Sequence, residues 1–334
     1  MIRRSGGLNL STCGGLAAIV LWSATFAVAR RLSEQVGPLA AGAAVYLFGA
    51  LLCWLRLAWV RARRFQGGSA RALEGSAPPR ASSPDAVRRG PARKYLLGCG
   101  FLFVLYTTVI YLAVGLARDR DELLQVALIN YLWPAATVLL SPLLLNRRAG
   151  WLLAVGTLLA LAGVFMVMTQ GDRVSWSSFW AHWRASPIPN SLALAGALAW
   201  ALYSNLARRW SPPGSDGGIE WFMAATGLTL LALCGGANQP VSWNGRALTE
   251  AAFLGAITAS AYALWDVAMR KGDLLLVAAC SFFTPLLSTL VSCAYLRVAP
   301  GPRVWLGCAL IVAGSLITWR SVGEPKEPRA EAGP

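Results

Sequence analysis

LAAIVLWSATFAVARRL, residues 16–32, aligns without a gap on LAGALAWALYSNLARRW, residues 194–210. Leu16/Leu194, Ala17/Ala195, Trp22/Trp200, Ala29/Ala207, Arg30/Arg208 and Arg31/Arg209 are identical pairs. Self-similarity over this distance marks a repeated unit. Each copy is an apolar stretch that holds a Trp near its centre and ends on Arg-Arg, as a helix does when it crosses a bilayer and stops at the headgroups. The recurrence also argues that the first copy is kept, although Arg3, Arg4 and Ala27-Val28-Ala29 would suit a cleaved leader.

A second offset extends the repeat. Adding 151 carries Leu123, Leu124, Val126, Ala127 and Pro134 onto Leu274, Leu275, Val277, Ala278 and Pro285. It also carries Tyr111 onto Tyr262, Gly156 onto Gly307, and Ala162-Gly163 onto Ala313-Gly314. The loop 61–94, present only in the first half, explains the change of offset. A spanning helix needs about 20 mainly apolar residues. That ruler gives ten spans, at 10–31, 38–60, 95–117, 122–145, 150–170, 189–209, 218–237, 248–270, 274–297 and 303–321. The expected fold is an all-α membrane protein of ten transmembrane helices. Five is odd, so the second set of five crosses in the opposite sense, as an inverted repeat with a binding site at the midplane between halves.

The units follow: a first five-helix repeat over 1–170, an outer loop over 171–188, a second repeat over 189–321 and a tail over 322–334. Residues 66–93, rich in Ala, Arg, Pro and Ser, are expected to be a disordered basic loop. Trp176, Trp180 and Trp183 make 171–187 an amphipathic segment lying on the membrane surface.

Composition agrees with this reading. Of 334 residues, 56% are hydrophobic and 13% charged, against about 25% charged in soluble domains. Mean hydropathy is +0.52. The net charge of +15 sits between and at the ends of apolar stretches. With both termini inside, 20 basic residues fall in cytoplasmic segments and nine outside, as the positive-inside rule prefers. The 61–94 loop is then cytoplasmic, and no nucleic-acid role is read from it because aromatics are not interleaved with its charges. Seven scattered cysteines, with no CxxC or CxxH, and a single histidine, His182, argue against disulfides, metal sites and cofactors. HExxH, GxSxG and phosphate-loop motifs are absent, so no enzyme is expected.

Candidate binding residues come from the middles of the spans. A proline inside a helix leaves the carbonyl four residues earlier without its donor. Pro134 would free Asn130 and Pro285 would free Ser281, offering carbonyls to an ammonium group. Asn130, Trp133, Thr137 and Ser141 lie on one helix face, as do Ser281, Thr284, Ser288 and Ser292. Asn130, Trp133, Ser281 and Thr284 are read as cavity lining. Trp22, Tyr106, Trp133, Trp200 and Tyr203 fall near midplane depth and supply aromatic walls. Tyr46, Tyr111, Tyr262 and Trp265 lie farther out and rank second. Gly156 with Gly163, and Gly307 with Gly314, each share a face that admits a close helix neighbour.

VLWS in the first span, NYLWP in the fourth, AxxWAxY in the sixth, AYALWD in the eighth and SFFTP in the ninth resemble the drug/metabolite transporter superfamily. Within it, the similarity is greatest to the EamA-like group and its YddG-type bacterial aromatic amino acid exporters. The resemblance covers nearly the whole chain. It implies a ten-helix basket of two inverted repeats that moves amino acids outward through a central cavity. Its cavity motifs fall on Trp22, Tyr106, Asn130, Trp133, Trp200, Tyr203, Ser281 and Thr284.

The expected function is therefore inner-membrane export of amino acids, preferring aromatic and other large neutral ones, by alternating access in a monomer. Its partners are amino acid substrates and membrane lipids. A broad drug or metabolite efflux pump of the same superfamily is the alternative, though a cation pump would place an acid deep in a span. A carrier of phosphorylated solutes would want Arg or Lys in the cavity. Arg56 is the one basic residue well inside a span. Asp266, about 10 Å past the centre of its span, is expected to pair with Arg270 four residues on. No titrating carboxylate is then needed, and export can run down the substrate gradient.

Overall fold

The computed structural model describes residues 9–73, 91–169, 176–212, 215, 217–236, 242–296 and 299–325. Almost all of them are helical: α1 (Leu10–Val36), α2 (Pro38–Leu73), α3 (Gly100–Leu116), α4 (Arg120–Asn130), α5 (Trp133–Leu144), α6 (Leu152–Met168), α7 (Trp176–Ala185), α8 (Pro187–Trp210), α9 (Ile219–Gly235), α10 (Gly245–Lys271), α11 (Leu274–Cys280), α12 (Phe283–Leu296) and α13 (Pro302–Ser321). A π-helical turn, Tyr95–Cys99, leads into α3.

Helix ends follow capping chemistry, which matters where no water can satisfy the backbone. The side chains of Asn9, Asp119, Asn244 and Asp273 accept from Thr12, Glu122, Ala247 and Leu276 N–H at 2.8 to 3.0 Å. Gly37 ends α1 with φ at 83°, a left-handed conformation that glycine adopts without strain.

Among the described residues, five helices are long and apolar enough to cross a membrane: Pro38–Val60, Tyr95–Leu116, Asp121–Leu144, Gly245–Lys271 and Pro302–Ser321. Two bent pairs raise this to seven: Leu10–Ser23 with Val28–Val36, and Leu274–Cys280 with Phe283–Val291, the latter bent by 42°. Leu152–Met168 and Ile219–Gly235 are shorter apolar helices of 17 residues, each about 25 Å long at 1.5 Å per residue. Helix α8 needs little apolar surface because it packs inside the bundle, against α3, α4, α5 and α10. Exposed Leu51, Leu55, Phe101, Leu143, Leu158, Leu228 and Trp305 form the kind of apolar exterior that lipid covers.

Hydrogen bonds gather alternate helix ends. Where α1 starts, Thr12 Oγ1 accepts from Asp273 N–H at 2.8 Å, and Tyr95, before α3, reaches Asp266 near the end of α10. At that same end β1 (Arg147–Ala149) pairs antiparallel with β2 (Val322–Pro325). At the opposite end Gln35 bonds Ser242, and Arg118 bonds Ser186.

Helices α6 and α13 meet backbone to backbone. A Cβ on Gly156 would stand 2.6 Å from Thr318 N, and one on Gly163 would stand 2.6 Å from Gly307 O. The two glycine faces, read separately as admitting some neighbour, admit each other.

Three boundaries differ from the sequence reading. Helix α2 continues through Leu73, so 66–73 is helical rather than disordered; with Arg61, Arg63, Arg64 and Arg71 it runs past the apolar span as a basic extension. Residues 74–90 lie outside the described residues. The tail begins with strand β2, because the turn after α5 offers a partner edge. The fourth and ninth spans are each two helices, α4/α5 and α11/α12, broken at 131–132 and 281–282 just before their prolines. In the 171–187 segment, α7 carries Trp180 and Trp183 with ring centroids 6.4 Å apart; 170–175 and the Trp176 side chain lie outside the described residues.

Candidate substrate site

Proline explains why the fourth span breaks where it does. Pro134 sits in the first turn of α5, where a missing N–H costs nothing, and it withholds the donor that would have continued α4. Tyr131 N–H bonds Ala127 O and Leu132 N–H bonds Ile129 O, so the turn passes over Asn130. Asn130 Oδ1 is also buried without a partner.

The ninth span breaks differently, and one expectation fails. The Ser281 carbonyl accepts Thr284 N–H at 3.0 Å, so it is not free. The reason is a tight turn: the donor three residues on replaces the one that Pro285 lacks. Ser281 Oγ donates to Ala278 O at 2.6 Å, which also settles the hydroxyl. What stays open here is Thr284 Oγ1, buried and unpartnered, while the Thr284 carbonyl accepts from Ser23 Oγ of α1 at 3.3 Å. Thr137 and Ser141 also turn back onto their own helix, bonding Trp133 O and Val138 O. The second of these fills the gap left by Pro142.

Rings converge beside these breaks. Trp200 of α8, 1% exposed, has Trp22, Tyr106, Trp133, Tyr203, Tyr262, Trp265 and Phe103 around it with centroids 4.7 to 6.2 Å away. Trp265 lies nearly parallel to it at 29°, while Trp133 meets it edge-on at 83°. Such tilted and edge contacts are the favoured aromatic geometries. Tyr46 joins through Tyr262, hydroxyl to hydroxyl at 2.7 Å, and Tyr111 packs against Tyr46. Helices α1, α2, α3, α5, α8 and α10 thus each send a ring to one place.

The sequence-derived residues are therefore brought together, with changes of rank. Trp265 and Tyr262, read as peripheral, are in direct ring contact with Trp22 and Trp200. Helical side chains lean toward their helix's N-terminus, which carries Trp265 back toward the bundle centre. Trp265 Nε1 is buried without a partner, a third orphan polar atom beside Asn130 Oδ1 and Thr284 Oγ1. Tyr203 is fully buried, its hydroxyl donating to Asp266 Oδ1 at 3.1 Å. Phe103, at the hub of five ring contacts, was missed because a lone Phe in an apolar run carries no signal. Asn205, bridging α8 to Thr137 O of α5 at 3.0 Å, was missed too, although a buried Asn in a span is a signal.

One turn farther along α10, Asp266 Oδ2 accepts from Arg270 Nε at 2.7 Å, the pairing expected from spacing. Tyr95 Oη donates to Asp266 Oδ1 at 2.7 Å, and Arg270 Nη1 donates to Ser215 O at 3.1 Å.

A helical bundle of apolar spans around a buried aromatic centre, with broken helices and orphan polar atoms at its edge, has the character of a membrane transporter. The chain belongs to the EamA-like transporter family, whose sequence profile matches residues 9–169 and 188–320. It is 29% identical over 310 residues to the aromatic amino acid exporter YddG of Escherichia coli (strain K12), covering 92% of this chain and 96% of that one. It is 28% identical to the aromatic amino acid exporter YddG of Salmonella typhimurium (strain 14028s / SGSC 2262), and 29% to that of Ancylobacter novellus, with the same coverage. A protein of known crystal structure superposes with a TM-score of 0.67 at 28% identity, over 92% of this chain and 96% of that one.

Proposed function

We propose that this protein exports amino acids across a bacterial inner membrane, preferring aromatic and other large neutral side chains, by alternating access. The observation that carries the reading is the Trp200-centred cluster, with Asn130 Oδ1, Thr284 Oγ1 and Trp265 Nε1 left unpaired near it. Rings supply area and edges for an apolar side chain. The orphan atoms, together with the Asn130 carbonyl, supply partners for an ammonium and a carboxylate, and a ligand that pairs them removes the cost of leaving them buried and unmade. The binding set in this reading is Trp22, Tyr106, Asn130, Trp133, Pro134, Trp200, Thr284 and Pro285, with Ser281 and Tyr203 as its supports.

The reading includes ten spans as two inverted five-helix repeats, counting α4/α5 and α11/α12 as one span each and including α6, α8 and α9. The paired glycine faces of α6 and α13, related by the 151 shift, support it. Both termini are cytoplasmic by the basic bias, so the end where α1 starts is the inner mouth. The working unit is one chain in lipid, needs no cofactor, and runs down the substrate gradient.

Purified protein in liposomes, tested with labelled phenylalanine, threonine and a cationic dye, decides this. Phenylalanine should move fastest and the dye not at all. Dye transport that outpaces phenylalanine makes the protein a drug efflux pump instead.

A further inference from the structure

Among the described residues, Asp266–Arg270 is the one ion pair with both side chains buried, at 2% and 4% exposure. Three other parts of the chain close on it: Tyr95 from the turn before α3, Tyr203 from α8, and the backbone between α8 and α9. A Cβ on Gly217 would stand 2.8 Å from both Arg270 Nη2 and Asp266 Oδ2, so a larger residue there would have to push the pair aside. Gly218 N–H completes the knot by donating to Tyr95 Oη at 3.3 Å. All of this lies at the end where α1 starts. Subtracting 151 from Asp266 and Arg270 gives Gly115 and Asp119, and the Asp119 side chain caps α4. The buried pair therefore has no counterpart in register; at the opposite end Glu122 is held instead by Arg118, whose side chain is largely exposed, and by Ser186.

We propose that Asp266 and Arg270 form a latch over the inner mouth of the site, and that the ammonium and carboxylate of an α-amino acid exchange for it as the mouth opens. The proposal rests on the exporter reading and deepens it by naming what meets the charged head at the inner mouth, before the orphan atoms take it at the aromatic centre. Parting the pair strands two charges in a low-dielectric interior, which is why a buried pair resists being broken. A zwitterion carries both complements. Its ammonium replaces the guanidinium on Asp266, and its carboxylate takes the planar fork of Arg270. An amine without the carboxylate, or an acid without the ammonium, repairs one charge and leaves the other unpaired. Tyr203 joins the two recognitions, with its hydroxyl on Asp266 and its ring 4.9 Å from that of Trp200.

Cys99, fully buried on the turn that carries Tyr95, reports the state of the latch. In inverted membrane vesicles bearing a protein whose other six cysteines are replaced by Ser, the rate at which an impermeant methanethiosulfonate modifies Cys99 is measured. The parent should react slowly. Phenylalanine should speed it about tenfold, the shift expected when a ligand favours a minor open state, while phenethylamine and 3-phenylpropionate should not. Asp266→Asn and the milder Tyr95→Phe should react fast with no ligand present. Protection that persists in both variants, with melting curves matching the parent's, overturns the latch. Equal acceleration by phenylalanine and phenethylamine overturns the exchange. If phenylalanine is not exported in liposomes the exporter reading fails, yet the ligand-free comparison still decides the latch.

Discussion

Tyr203 donates its hydroxyl to Asp266 Oδ1 across 3.1 Å, while its ring packs against Trp200. A single side chain thus ties the buried ion pair to the aromatic centre. The proposed site then divides its labour: rings that touch Trp200 from the α1, α3 and α5 sides would meet the substrate, and Tyr203 would support them.

Trp133 is the residue to remove first. It meets Trp200 and Trp265 edge-on at 6.2 and 5.3 Å, and each such pair contributes about 1 kcal/mol beyond area burial. Trp133→Ala should lower phenylalanine export about tenfold and threonine export far less, at matched protein level, since 1.4 kcal/mol is a factor of ten. Equal losses for both substrates would reduce Trp133 to packing. Trp200→Ala is the poorer probe, because truncating a ring with seven ring neighbours costs about 3 to 5 kcal/mol of stability and confounds the comparison.

The two prolines should behave unequally. Pro134→Ala restores an N–H that can reach the Asn130 carbonyl, healing α4 and α5 into one helix. Export should fall while the melting temperature holds or rises. Pro285→Ala has less to heal, because Ser281 O already accepts from Thr284 N–H, so its loss of export should be the smaller. Normal export by Pro134→Ala would sink the carbonyl mechanism.

The contrast between these prolines shows what was legible in the sequence and what was not. Pro134 and Pro285 match under one shift, and the breaks at 131–132 and 281–282 stand beside them. Which carbonyl each break frees depends on whether the turn closes three residues on, and equal spacing does not encode that. Trp22 and Trp200 were legible because they recur in register within two stretches that align without a gap. Trp265 was misranked by measuring depth along the chain, which ignores the backward lean of a helical side chain. Tyr95 was invisible as a partner of Asp266, since 171 residues separate them and only the packing of α3 against α8 and α10 brings them together. The α2 extension was missed because Gly67, Gly68 and Ser69 read as loop by composition, and the helix runs through them.

The glycine seam between α6 and α13 predicts a stability change with a built-in control. A side chain at Gly163 would meet Gly307 O at 2.6 Å and Ile311 N at 2.9 Å, both backbone atoms that cannot move aside. Overpacking of this kind costs about 1 to 3 kcal/mol, so Gly163→Val should lower the melting temperature of detergent-purified protein by several degrees. Nothing lies within 4 Å of a Cβ at Gly150. Gly150→Ala should melt with the parent.

Topology follows from the basic bias and can be read by thiol labelling. Arg80→Cys should react with an impermeant maleimide only after cells are permeabilised, whereas Asp121→Cys, exposed at the start of α4, should react in intact cells. Labelling of position 80 from outside would invert the inner mouth, and with it the side on which the latch acts.

Energy coupling is the sharpest discriminator among transport mechanisms, and the aromatic centre supplies few means for it. Proton coupling needs an acid that changes partners as the site changes sides. Asp266 is the acid nearest the rings, and its oxygens already hold Arg270, Tyr95 and Tyr203 at 2.7 to 3.1 Å. A carried proton would therefore compete with three donors already in place. Among the described residues the other buried acid, Glu122, is held by Arg118 and Ser186 at the opposite end of the bundle. Phenylalanine flux in liposomes should accordingly follow the phenylalanine gradient and be unchanged when a pH difference of either sign is imposed at fixed substrate. A flux that reverses or multiplies with the sign of the pH difference, and that loses this response in Asp266→Asn, would make Asp266 a coupling residue rather than one half of a latch.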